Sequence, residues 1–190
     1  SKGEKLNVAK APIIKLHNEY FGGGMSSIVF QEMRESKALA YSVYSAYRTP
    51  NKKEDRHYSM SYIGTQADKL SEAMKGINDL LDTMPEAEIN LTNAKESILK
   101  KIRTERLTKA SVLNQYEKAF KMGVDYDLRK DVFNQVERFD MKSLVEFHNT
   151  HMNNNTRVVM ILGSKDDLDL DVLKKYGEIE HLTLEDVFGY

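Results

Sequence analysis

The 190-residue chain is 41% hydrophobic and 30% charged, the proportions of a protein that buries a core rather than of a disordered chain. Its 28 Lys and Arg stand against 29 Asp and Glu, a formal charge of −1, and so even a balance gives no broad cationic surface for nucleic acid or anionic lipid. Cysteine is absent, which excludes disulfides, thiolate zinc sites and thiol nucleophiles.

No apolar run approaches the roughly 20 residues that cross a bilayer, and Ser1 to Lys10 is too polar for a signal-peptide core; neither a targeting nor a transmembrane segment is recognisable. Pro12 suits a first helical turn, and Ile13, Leu16 and Tyr20 follow at helical spacing, predicting a helix over 12–21. The run Gly22-Gly23-Gly24 stops it and reads as a helix-to-helix turn needing positive φ. Ser26 or Ser27 then caps a second helix that turns Ile28, Val29 and Met33 inward and ends near Ala38.

From Tyr41 the texture becomes aromatic and β-branched. Tyr41, Val43, Ser45 and Tyr47 fall on one face of a strand, a polar loop covers Thr49 to Arg56, and a second strand over 57–64 keeps Tyr58, Met60 and Tyr62 on a common side, together an antiparallel hairpin. Helices follow: one marked by Leu70, Met74, Ile77, Leu81 and Met84, one by Leu91, Ala94, Ile98 and Ile102, one by Leu113, Tyr116 and Phe120, then two over 127–138 and 141–151. Val158 to Leu162 is a short continuous apolar run between Asn153-Asn154-Asn155 and Gly163, which predicts a strand buried on both faces. A short helix over 168–175 and an edge strand with Ile179 and Leu182 close the chain. Strands at both ends of a helical middle predict an α+β fold, a mostly antiparallel sheet packed against a layer of helices, in one domain over 1–190.

Candidate chemistry is sparse. The glycine run lacks a preceding strand and a following Lys, so it matches no nucleotide motif. His148 and His151, three apart on a helix, place two imidazoles on one face, but neither H-E-x-x-H nor H-x-x-E-H is present; they read as partly exposed surface histidines, and the isolated His17, His57 and His181 as ordinary structural or solvated residues. Arg34 and Tyr41 carry the strongest signal. Arg34 on the last turn of the second helix and Tyr41 at the start of the strand offer a guanidinium and a phenol, donors suited to the carbonyl oxygens of an extended peptide. From the residues alone, an exposed Arg beside a core Tyr is the simpler account.

The stretch from Asn18 through Gly22-Gly23-Gly24-Met25-Ser26-Ser27 and Arg34-Glu35 to Leu39-Ala40-Tyr41-Ser42-Val43 resembles the opening helices and first strand of a domain of the pitrilysin (insulinase) family of zinc peptidases. The Phe147-His148 helix, the Val158 to Gly163 strand and the closing Leu184 to Tyr190 resemble the end of such a domain. The resemblance implies a non-catalytic domain from the carboxy-terminal half of a multidomain metalloendopeptidase, without cofactor of its own, the zinc being held in a partner domain. It further implies that Arg34 and Tyr41 hold the peptide backbone and stabilise the oxyanion. Partners would be other domains of the same polypeptide or a zinc-bearing subunit, and a peptide substrate, with no nucleic acid and no membrane; the alternative is a structural or docking module of an inactive subunit. Only eleven residues precede Pro12, so the strand that opens such a domain is expected to be missing.

Overall fold

The computed structural model describes residues 2–153 and 156–189; Asn154 and Asn155 of the Asn-rich turn, and Tyr190 of the closing stretch, lie outside the described residues. The expectation that no strand precedes the first helix is corrected: strand β1 (Lys2–Lys5) pairs antiparallel with the later β3. Its Lys-Gly-Glu-Lys sequence carries none of the β-branched or aromatic residues that announce a strand. Close fit is what the segment offers instead, since a Cβ on Gly3 would lie 2.5 Å from Tyr47 Oη and 2.8 Å from the His57 carbonyl oxygen.

Helix α1 (Ala11–Phe21) carries Pro12 in its first turn and buries Ile14, Leu16, His17, Tyr20 and Phe21. The glycine run that ends it does not use positive φ, as the sequence suggests. Gly22 sits at φ −145°, and a Cβ there would lie 2.2 Å from the Ser45 carbonyl oxygen. Glycine is required because α1 ends hard against the next strand. Helix α2 starts at Ile28–Phe30 and continues through wide π-type turns over Gln31–Ser36. Strands β2 (Ser42–Arg48) and β3 (Arg56–Gly64) form the expected hairpin, in register from Ser42↔Gly64 to Arg48↔Tyr58. Val43, Ser45 and Tyr47 face inward, while Tyr58, Met60 and Tyr62 share the exposed side.

Among the described residues the sheet has three strands in the order β1-β3-β2. Helices α3 (Leu70–Asp82), α4 (Glu88–Thr104), α5 (Lys109–Lys121), α6 (Arg129–Gln135) and α7 (Met141–His151) follow. The core runs through Leu16, Phe21, Val29, Met33, Ile98, Val136 and Leu144, all fully buried. Burial of such aliphatic and aromatic side chains, worth about 1.5–3 kcal/mol each, is the main driving force. No helix among the described residues is long and apolar enough to cross a membrane.

The carboxy-terminal part departs from expectation. Val158 to Leu162 forms no strand, and Val158, Met160 and Leu162 are 88%, 85% and 104% exposed. Because among the described residues β1 pairs with β3 only between Arg56 and Tyr58 and no other strand pairs on that side, the apolar run stands across a cavity of about 630 Å³ from β3 and α3. A continuous apolar run signals two covered faces; here only alternate residues, Val159 and Ile161, are partly covered. Ile179 and Leu182 likewise lie outside any strand, and the chain closes with two short helices, α8 (Leu170–Lys174) and α9 (Leu184–Phe188).

Candidate functional site

The junction between α2 and β2 is strapped down by its neighbours. The wide turns let the Lys37 N–H reach the Glu32 carbonyl, 3.2 Å, and the Leu39 N–H reach that of Met33, 2.8 Å. Ala38 takes a left-handed φ of 48°, a conformation that costs a non-glycine residue roughly 1 kcal/mol and needs support from its surroundings. That support comes from the segment after β3: Lys69 Nζ donates to the Ala38 carbonyl at 2.9 Å and Thr65 Oγ1 to the Leu39 carbonyl at 2.6 Å. Beneath, Met33 is fully buried and Gly76 of α3 lets it pass, since a Cβ there would lie 2.9 Å from its sulfur.

Arg34 and Tyr41 stand at this strapped junction, outside the core. Arg34 is exposed, its guanidinium carbon 4.9 Å from the Phe30 ring centroid and its Nε 3.7 Å from the Glu35 carboxylate. Tyr41 does not share the buried face of Val43, Ser45 and Tyr47. It precedes β2 and is 69% exposed, its hydroxyl accepting a 2.9 Å bond from Gln66 Nε2 while its backbone N–H donates to the Gly64 carbonyl at 2.8 Å. The simpler reading of an exposed Arg with a core Tyr is therefore half corrected: both side chains are exposed. The phenol hydrogen, unlike the lone pair engaged by Gln66, is left to donate elsewhere.

Of the pair expected to be partly exposed, His148 is buried and His151 half-buried, while His17 and His57 are structural and His181 is exposed. His148 and His17 are fully buried, with His148 Nδ1 3.1 Å from His17 Nε2 and His148 Nε2 3.0 Å from the Leu81 carbonyl oxygen. Since a carbonyl only accepts, His148 carries its proton on Nε2 and accepts from His17 through Nδ1. Burial pulls His17 down to about 3, with the neighbouring His148 adding to the fall, and pulls His148 down to about 4. His57 is also fully buried, stacked on Tyr47 at 5.2 Å and accepting the Asn7 N–H at 3.1 Å, while the Tyr47 phenol is pushed up to about 12 by burial. His151 lies against Phe147 and Tyr47, its Nε2 3.4 Å from Lys10 Nζ.

This donor set does not fit zinc. The His148 nitrogens are committed to His17 and Leu81, and a lysine ammonium beside His151 opposes a cation. Among the described residues, no group of three or more His, Cys, Asp and Glu side chains is placed to hold a metal. Sequence reasoning missed the histidine pair because its members are 131 positions apart. It also missed Asn18, whose side chain accepts the Tyr47 N–H at 2.8 Å and donates to the Tyr47 carbonyl at 3.0 Å. The signal for Asn18 was a polar residue on an otherwise apolar helix face.

Residues 3–96 match the model of the peptidase M16 inactive domain. This stretch, just under half of the chain, is similar to that domain. This bears out the resemblance to the pitrilysin family drawn from Asn18 to Val43. Among curated relatives, the "Uncharacterized zinc protease YmxG" of Bacillus subtilis is 39% identical over 84 residues, 43% of this chain and 20% of that protein. The "Non-peptidase homolog YmxG" of Helicobacter pylori is 23% identical over 167 residues, 86% of this chain and 37% of that protein. Among solved structures, a peptidase M16 inactive domain from Pseudomonas fluorescens superposes with a TM-score of 0.59 at 18% identity, over 80% of this chain and 36% of the other, so the α+β architecture extends well past residue 96. The chain thus spans about a fifth to two fifths of the length of these proteins.

Proposed function

We propose that this chain is the non-catalytic, substrate-gripping part of a zinc metalloendopeptidase, the whole of residues 1–190 being one inactive-type domain within a longer protein. Zinc would be held in a partner domain or subunit, and a peptide would lie between the two. Arg34 would hold carbonyl oxygens of the peptide, and the Tyr41 phenol would donate to the oxyanion that develops on hydrolysis. Preorganised donors serve that role best, and the observation that carries the reading is the strapped, exposed junction that presents both side chains. The experiment is Arg34→Ala and Tyr41→Phe in the full-length protein, or in the domain paired with its zinc-bearing partner. Each is expected to cut peptide hydrolysis by about a hundredfold, the scale for one lost transition-state donor, with the melting temperature unchanged. Wild-type turnover by both variants would remove the role.

A second reading has its own support, since the relative matched over the greatest share of this chain is named a non-peptidase homolog. On that reading the domain docks or scaffolds, and the full-length protein hydrolyses no peptide with stoichiometric zinc supplied.

A further inference from the structure

Helix α5 folds against the body on one side only. Ala119 is its buried residue, and the Lys53 N–H pins its end by donating to the Lys121 carbonyl at 3.1 Å. Val112, Leu113, Tyr116 and Phe120 fall on one stripe of the helix and are 50% to 69% exposed, with Tyr116 and Phe120 stacked on each other. Four large apolar side chains along one stripe form a patch of the kind that marks an interaction surface. The surroundings are basic: residues 100–121 hold seven Lys and Arg against two Glu.

The same chain carries a segment of complementary chemistry. Residues 178–189 contain Glu178, Glu180, Glu185 and Asp186 and no Lys or Arg. Within this segment α9 is closed at its start by a capping box between Thr183 and Asp186. Leu184 and Val187, three apart and thus on one helix face, are 74% and 56% exposed, as is Leu182 at 57%. The exposure of both surfaces means that within one chain neither covers the other.

We propose that the 178–189 segment of one copy docks on the α5 stripe of a second copy, reciprocally, making a two-fold dimer. An amphipathic helix laid on an apolar strip uses anchors at i and i+3, which Leu184 and Val187 provide, and opposite charge sets the pairing and its orientation. A lipid surface is the poorer occupant, because the acidic segment on the same chain repels the anionic headgroups that a basic helix would seek.

The test is the mass of the 190-residue chain in solution by sedimentation or light scattering, over a range of concentrations and salt. A dimer is expected that weakens as salt rises from about 0.1 M to 1 M and the screening length falls from about 10 Å to 3 Å. Phe120→Asp and Leu184→Asp each change an exposed residue, so both variants keep the parent's circular dichroism and melting temperature, and each weakens the dimer at least about tenfold. Mixing the two restores association in part, because the intact segment of one variant meets the intact α5 of the other. A monomer at every concentration would overturn the proposal and leave α5 to another domain of a longer protein. Dimerisation lost with Phe120→Asp but unchanged with Leu184→Asp would overturn it in favour of α5 packing on α5.

Discussion

His17 and His148 form a buried pair in which each proton has a use. The Leu81 carbonyl is among the last four of α3 and lacks a partner inside its own helix, and the Nε2–H of His148 supplies one from across the core. His17 then donates to the other nitrogen of His148 and keeps an unpaired Nδ1, on a ring stacked on Phe21 with Phe147 tilted against it. Charging either ring in this place is costly, which is why burial holds the pair down at about 3 and about 4. Folded values below the unfolded value near 6.5 mean that the unfolded chain takes up protons first. Stability from this pair is thus whole above about pH 6.5 and falls as pH drops towards 4, by up to about 1.4 kcal/mol per pH unit for each histidine. Urea unfolding at pH 7 and pH 5 is expected to show that loss, and the double variant His17→Phe/His148→Leu to lose most of the slope. An equal slope in the double variant would assign the acid sensitivity to other groups.

At the scale of elements, the free edge of β2 is closed by α1 rather than by another strand. The Asn18 side chain makes both bonds that a neighbouring strand would make to Tyr47, and the Ser45 N–H donates to the Gly22 carbonyl at 3.3 Å. An edge covered in this way does not recruit other chains. Contact this close tolerates no side chain at Gly22, whereas a Cβ on Gly24 would meet nothing within 4 Å. Gly22→Ala is therefore expected to cost about 3 kcal/mol and Gly24→Ala to stay within about 0.5 kcal/mol of the parent, both read from chemical denaturation; equal effects would show that the run acts through chain flexibility. This contrast marks the reach of sequence reading. The position of the glycine run, the α1 helix, the β2–β3 hairpin and the helical middle were legible because apolar spacing and turn residues record local geometry. What glycine does at position 22 was not, because it depends on Ser45, which is remote in sequence. The same limit hid β1, whose polar residues pair through backbone alone, and it made Val158 to Leu162 look like a buried strand when one flank lies open. Arg34 and Tyr41 were legible as chemistry, but their common exposure depends on the left-handed Ala38, held by Lys69, and on Leu39, held by Thr65.

Across the whole molecule, order of packing divides the chain near Arg157. Its guanidinium is bonded to Asn78 Oδ1 at 3.0 Å, Asp82 Oδ1 at 2.6 Å and the Met152 carbonyl at 3.2 Å, fastening the chain to the end of α3 and to the turn after α7. Beyond it no described residue is buried, although the stretch is rich in apolar side chains. Segments with few buried contacts open at little cost in free energy and are cut first by proteases. Chymotrypsin is therefore expected to cleave first between 158 and 189, at sites such as Leu162, Tyr176 and Leu184. The body up to Arg157 should persist and melt within a few degrees of the intact chain, because the trimmed part contributes little to the core. First cleavage within the α3–α4 region instead would show that the carboxy-terminal part belongs to the folding unit. The docking of residues 178–189 on a second copy adds a concentration dependence: cleavage at Leu184 should slow as the chain is concentrated while cleavage at Leu162 does not, and Phe120→Asp should abolish the difference.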